Sequence, residues 1–462
     1  MDLYKPQYHF LPKNNWMNDP NGPIYYKGKY HLFYQHNPKD YHWDTMHWGH
    51  AVSEDLVHWE HLPIALYPSN ELGETHCFSG CTVIKEGIPT IYYTSIGENE
   101  RNARLGGEQW MAVSHDDMLT WEKYKANPTM KASLHNGLDI KEWRDPFIWQ
   151  ENGIWYMVLG GEHEEKGCVL IYSSEDLINW KFLNKMFEDP AFKFLECPNM
   201  LKFGDKYVLV YSPSEAVRYH VGSLDENYKF ISESDGILDN SGWEGFYAPN
   251  TLIDPKGRKI MWGWMTDTSR GEFQGANGWA GAQSIPRILT LAEDNTLKME
   301  PAPEFQVLRY DEEIYENLAL EGNKKLFKNK GRAIEINMEI ILSGEEVFSL
   351  NVLEAADGEE KTIIKYDAVK KELQIDRTHA SLAKEPHNSI LKVSLPKEKG
   401  ELLQIHVFVD HSIIEVFADN KVCISTRVYP TLEGSNNVSL ELNKGKALSL
   451  QKLELWKMNS IW

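Results

Sequence analysis

Ala51-Val52-Ser53-Glu54-Asp55-Leu56-Val57-His58-Trp59 is echoed twice further along the chain. The first echo is Ala112-Val113-Ser114-His115-Asp116-Asp117-Met118-Leu119-Thr120-Trp121, and the second is Ile171-Tyr172-Ser173-Ser174-Glu175-Asp176-Leu177-Ile178-Asn179-Trp180. The closing tryptophans stand 62 and then 59 residues apart. A period near 60 with strand-like flanks marks a repeated structural unit. A second repeat interleaves with it: an apolar strand, a turn containing glycine, and another strand. It is read around Gly28, Gly87, Gly153, Gly204 and Gly257, as in Pro23-Ile24-Tyr25-Tyr26 before Gly28 and Tyr30-His31-Leu32-Phe33-Tyr34 after it. Turn chemistry and β-rich flanks make these hairpins. Five hairpins, each followed by more strand-like sequence, describe five four-stranded sheets. A radial array of such sheets is a β-propeller. A long β-sandwich is the alternative that the repeat leaves open.

The second half changes character. From Glu304 to about Lys325 the chain is polar and charged, and it reads as a connecting segment. Short alternating strands follow, such as Ala333-Ile334-Glu335-Ile336-Asn337-Met338-Glu339-Ile340 and Leu403-Gln404-Ile405-His406-Val407-Phe408-Val409. Such alternation describes half-buried strands with one solvated face, hence a β-sandwich. The expected architecture is all-β: a five-bladed propeller over residues 1–303, a linker over 304–325 and a sandwich over 326–462. Asp410-His411-Ser412 carries the letters of a catalytic triad, but neighbours in sequence do not have triad geometry.

Composition narrows the partners. The 462 residues include 48 basic and 68 acidic side chains, a formal charge of −20. That balance argues against nucleic acid, whose recognition needs Lys and Arg on phosphates. No run approaches the roughly 18 apolar residues of a membrane span. A neutral or cationic small molecule fits better. The start, Met1-Asp2-Leu3-Tyr4-Lys5-Pro6, has no apolar signal core, so a cytoplasmic location is expected. The five cysteines, Cys77, Cys81, Cys168, Cys197 and Cys423, match no zinc spacing and no disulfide framework. They read as buried small hydrophobes, and no metal is expected. Aromatic residues reach 12%, with 16 Trp, which suits both strands and sugar-stacking surfaces.

The position just before each hairpin's first strand holds, in order, Asp19, Ser79, Asp145, Glu196 and Tyr247. In a propeller, equivalent positions converge on the axis, so three carboxylates distant in sequence would face one funnel. Asp before Pro is by itself a common turn pair. Three acids at one phase of a five-fold repeat point to chemistry instead. Two carboxyls across a funnel suit glycoside cleavage, one as proton donor and one as nucleophile. A third can hold sugar hydroxyls and offset oxocarbenium charge. Arg144, beside Asp145, is expected to help keep that carboxylate ionised, since a neighbouring cation lowers its pKa.

Trp16-Met17-Asn18-Asp19-Pro20-Asn21-Gly22, Phe78-Ser79-Gly80, Arg144-Asp145-Pro146 and Glu196-Cys197-Pro198 together resemble glycoside hydrolase family 32. That family comprises invertases, sucrose-6-phosphate hydrolases, fructan hydrolases and related fructosyltransferases. The resemblance extends through Leu32 to Pro38, Trp48 to Ala51, Gly278-Trp279-Ala280-Gly281 and Val409 to Phe417. It implies a five-bladed propeller with a β-sandwich, and retaining β-fructofuranosidase chemistry on sucrose and short fructo-oligosaccharides without a cofactor. Asp19 is implied as nucleophile, Glu196 as acid and then base, and Asp145 as transition-state stabiliser. Asn18, Gln35, Trp43, Phe78, Ser79 and Arg144 are implied to line the fructose subsite. Gly245 stands where several bacterial relatives carry Asp, which bears on leaving-group preference. No cluster of Lys and Arg marks a subsite for sucrose 6-phosphate.

Rival readings are a fructosyltransferase, a sucrose-6-phosphate hydrolase, a five-bladed arabinosidase or xylosidase, and a catalytically silent sugar-binding propeller. The last is disfavoured by the intact trio of acids. A sandwich edge leaves a homo-oligomer open as a further partner.

Overall fold

The computed structural model describes residues 2–97, 107–267, 278–322, 324–384 and 388–462. Strands dominate, and among the described residues no helix is long and apolar enough to cross a membrane. Five antiparallel sheets follow one another along the first 301 residues, each ordered as its strands occur in the chain. Their first strands are Asn15–Tyr26, Glu74–Lys85, Lys141–Glu151, Glu196–Phe203 and Tyr247–Ile253. Each of these packs against the first strand of the next sheet, and the fifth returns to the first, so the sheets surround an axis as a propeller. Trp279–Ala280 pairs in parallel with Asn15 and Trp16, stapling late chain onto the first sheet.

The two repeats have separate physical causes. Gly28, Gly87, Gly153, Gly204 and Gly257 all have positive φ, as tight hairpin turns between first and second strands require. The Ser-x-Asp repeat is the turn from third to fourth strand. Asp55 accepts the backbone N–H groups of Val57 and His58 at 2.9 and 2.8 Å. Asp176 does the same for Ile178 and Asn179 at 2.9 and 2.7 Å. Leu56, Met118 and Leu177 are buried beside these turns. We expect Asp176→Ala to lower the unfolding free energy by about 2 kcal/mol in urea titrations, since it frees backbone donors from a charged acceptor.

A second irregularity recurs with the same period. Every inner strand carries an extra residue against its partner at one shared place, between Met17 and Pro20, Cys77 and Gly80, Arg144 and Phe147, Glu196 and Asn199, and Tyr247 and Asn250. These are β-bulges, which re-aim side chains and accept the proline that a regular ladder excludes. Pro146, Pro198 and Pro249 lie in three of them. The expected placement of the acids, just before the first strands, is therefore corrected. They sit within or at the edge of a bulge inside those strands, where the chain turns its side chains to the axis. Asp145, Cys197 and Ala248 have φ of 64°, 47° and 45°, a left-handed backbone held at the bulge by the surrounding sheet.

The C-terminal part is a sandwich of two six-stranded sheets. Ile334, Ile336, Leu350, Ile405, Val407, Leu440 and Leu453 fill the space between them. Two expectations need correction here. The segment 304–325 is no free linker: Pro303–Leu308 forms a 3-10 turn and Arg309–Leu320 is an edge strand paired with Leu448–Met458. Its polar composition reflects the exposure of an edge strand. The first sheet also lacks a solvated outer face throughout, because Phe408, Ile413, Phe417, Cys423 and Met458 join the propeller's core. The polar residues on that face belong to a buried ionic contact. Asp410 receives the N–H groups of Gln7, Tyr8 and His9, and the His9 ring bridges Asp410 and Glu415 at 2.9 and 3.0 Å. Arg287 of the propeller reaches Glu415 at 2.7 Å and Asp239 at 2.8 Å.

Candidate active site

The five bulges open into one cavity of about 210 Å³ at the propeller axis. Asn18, Asp19, Gln35, Trp43, Phe78, Ser79, Arg144, Asp145 and Glu196 all line it. The nine residues singled out from the sequence thus meet in one place. Cys197, Tyr247, Ala248 and Trp264 complete the wall.

Each acid has its own setting. Asp19 accepts the Ser79 hydroxyl at 2.6 Å on one oxygen and the Asn18 amide at 3.1 Å on the other. Asn18 is steered in turn by the Trp16 indole, which donates to its side-chain oxygen at 2.7 Å. Burial pushes the Asp19 carboxyl up to about 6; Ser79 and Asn18 pull against it, while the Glu196 charge adds to the rise. Asp145 is buried, and its oxygen accepts the Cys197 backbone N–H at 3.0 Å. Its own N–H donates to the Thr94 hydroxyl at 2.9 Å.

Arg144 lowers the Asp145 carboxyl as expected, but does not outweigh its burial. Its nearest nitrogen is 3.8 Å from Asp145, while its guanidinium donates to Glu196 at 2.7 Å and also pairs with Glu142. Burial carries the Asp145 carboxyl up to about 7; Arg144 opposes this, and the charges of Glu196 and Asp19 reinforce it. Desolvation outweighs one flanking cation. Glu196 is clamped from both sides, by Arg144 on one oxygen and by the Tyr247 hydroxyl at 2.5 Å on the other. Tyr247 accepts the Ser214 N–H at 2.8 Å, which fixes its phenol toward Glu196.

The remaining wall is aromatic and amide. Trp43 is half exposed and stacks on His76 at 5.3 Å, with its edge toward Phe78 at 6.1 Å. Gln35 is buried and donates to the Cys77 carbonyl at 2.9 Å. Gly245 has a packing cause: a Cβ there would lie 2.2 Å from the Ser425 carbonyl of the sandwich, which leaves no room for an acid.

Sequence reasoning passed over two contributors. Tyr247 stands where Glu196 does, at the paired residue that opens its bulge, so its signal was present in the repeat. Cys197 was read as a small core residue, yet its sulfur lies 3.6 Å from Asp145 and 3.7 Å from Asp19. All five cysteines are free and buried.

Comparison with known proteins gives the family. Residues 9–301 match the glycosyl hydrolases family 32 N-terminal domain, and residues 304–457 match the family's C-terminal domain. The chain is 29% identical to the sucrose-6-phosphate hydrolase of Escherichia coli, over 99% of this chain and 95% of that protein. It superposes on fructan 1-exohydrolase IIa from Cichorium intybus with a TM-score of 0.91 at 25% identity, covering 99% of this chain and 98% of that one. A variant of the Bombyx mori β-fructofuranosidase BmSUC1, solved in complex with sucrose, superposes with a TM-score of 0.83 at 28% identity, covering 100% and 95%. The chain belongs to glycosyl hydrolases family 32.

Proposed function

We propose that the protein is a retaining β-fructofuranosidase that hydrolyses the terminal β-D-fructofuranosyl bond of sucrose and short fructo-oligosaccharides. The observation that carries this reading is the pair Asp19 and Glu196, which face one small cavity from different blades in different settings. Asp19 attacks C2 of the fructosyl unit while Glu196 gives its proton to the departing glucosyl oxygen. The C2–oxygen bond breaks and a fructosyl–Asp19 ester forms. Water then attacks C2, passes its proton to Glu196 and releases fructose. Asp145 holds fructose hydroxyls, and once ionised its charge offsets the oxocarbenium character of both transition states. Ser79 and Asn18 hold Asp19 in place for attack, and Arg144 with Tyr247 aims Glu196. Trp43 and Phe78 supply the apolar surface on which a sugar face stacks.

One observation favours unphosphorylated sucrose over sucrose 6-phosphate. Arg144 is the single cation among the described residues lining the cavity, and it is already committed to Glu142 and Glu196. The kcat/KM on sucrose should exceed that on sucrose 6-phosphate, and the opposite order would move the assignment to the phosphorylated substrate. The five free, buried cysteines support a reducing, cytoplasmic setting.

Stereochemistry tests the mechanism without any variant. Direct attack needs carboxyls about 5 to 5.5 Å apart, whereas an inverting enzyme leaves roughly 6.5 to 9.5 Å for a water. NMR in the first minutes of sucrose hydrolysis should show β-fructofuranose appearing first, before mutarotation. Initial release of the α-anomer would exclude the ester intermediate.

A further inference from the structure

The strand that bears Asp19 is braced by a segment anchored on the other domain. Gln283 is buried, and its amide donates to the Asn18 carbonyl at 2.8 Å. That carbonyl belongs to the peptide plane joining Asn18 to Asp19. Because the plane is rigid, fixing it fixes the N–Cα bond of Asp19 and so restrains the direction in which its side chain leaves the backbone. The Gln283 N–H donates to the Phe10 carbonyl at 2.9 Å, next to His9 in the chain. Two residues on, the Ile285 N–H donates to Glu415 of the sandwich at 2.7 Å, on the same carboxyl oxygen that meets His9. Gly281 presses the segment against the strand, since a Cβ there would lie 2.0 Å from the Met17 carbonyl.

We propose that Gln283 is a positioning residue for Asp19, and that Glu415 makes the β-sandwich part of the active site by anchoring the segment that carries Gln283. This rests on the reading of Asp19 as nucleophile. It gives the Val409 to Phe417 phrase a mechanical task. Asp410 ties down the N-terminal strap, and Glu415 joins strap, propeller and sandwich at one carboxylate.

Gln283→Met keeps the length of the side chain and removes its donor. The expected result is a kcat on sucrose roughly tenfold lower, because small misplacements of a reacting group are costly. KM should stay close to wild type and the melting temperature should change little. The acid limb of kcat/KM should move to higher pH. Asp19 faces Ser79, Asn18, Cys197, Glu196 and Asp145, and a displaced Asn18 donates to it less well. A purely structural role for Gln283 would leave that limb in place. Glu415→Asp keeps a charge for His9 and Arg287 but withdraws the oxygen from the Ile285 N–H, so it should move the limb the same way with a smaller loss of kcat. It serves as the test if the first variant does not fold. Wild-type kcat with an unmoved limb in the folded variants would overturn the proposal. Asp19→Asn run in parallel separates the two ideas: an active Asp19→Asn removes the nucleophile reading itself, whereas an inactive one beside a normal Gln283→Met removes only the positioning role.

Discussion

Asp19→Asn is expected to lose several orders of magnitude in sucrose turnover while keeping its fold. The substitution preserves size and leaves neighbours for hydrogen bonding, but an amide cannot supply the oxygen anion that attacks C2. Turnover above about a tenth of wild type in the purified variant would be incompatible with nucleophilic attack by this residue. The same variant carries a second signature. Burial raises the Asp19 carboxyl to about 6 in the folded protein, so ionising it costs folding free energy. That cost is absent below the pKa of the unfolded carboxyl, grows as pH rises from about 4, and is complete above about 6. Asp19→Asn should therefore be more stable than wild type at pH 7 to 8, by about 2 kcal/mol once solvent in the open cavity is allowed for. The gain should fade toward pH 4. Thermal melts of both proteins across this range measure it, and a variant equally stable at pH 8 would show that the native carboxyl is not strained by its burial.

Glu196→Gln should be almost inactive on sucrose and much less impaired on an aryl fructoside. Sucrose leaves as a poor alkoxide that needs a proton as the bond breaks, whereas an activated phenol departs without one. The amide oxygen can keep the Arg144 donor, and the Tyr247 hydroxyl can turn to accept from the amide nitrogen, so the isosteric side chain stays in place and the variant tests mainly the proton. Equal losses on the two substrates would show that Glu196 serves some purpose other than acid catalysis. The comparison is of the ester-forming burst, because the amide cannot activate the incoming water and the accumulated ester turns over slowly whichever substrate formed it.

The parts of the fold legible in the sequence were those written by local physics. Hairpin turns need glycine at positive φ, and Gly28, Gly87 and Gly153 announce them. The Ser-x-Asp turns repeat because each needs the same acceptor for its backbone N–H groups. The acids were legible through their motifs, which named nine of the residues that line the cavity. The common phase read for them is not exact: Glu196, Asp145 and Asp19 stand at three successive positions of their bulges. The bulges were not legible, since an extra residue in a strand has no distinct composition, and Asp-Pro reads equally well as a turn. The edge strand Arg309–Leu320 read as a linker because exposed strand and loop share the same polar letters. The contact between His9 and Glu415 was hidden for another reason. It joins residues 406 apart, and only the folded chain shows why an acid in an apolar strand and a histidine near Met17 belong together.

The bulges also bear on how such a scaffold can change. Sliding a whole strand by one residue would turn every side chain to the opposite face of its sheet. A bulge absorbs the extra residue locally, so the paired positions on either side keep their partners. Each blade thereby presents its own socket at the axis, holding Asp19, Ser79, Asp145, Cys197 or Ala248 with no demand on the three strands outside it, though neighbouring sockets share hydrogen bonds. Substrate preference can then drift by exchanges at the sockets while the ring stays intact. For a designer the same property is an invitation: new chemistry at this mouth can be tried by single exchanges, blade by blade, with the hairpins left as they are.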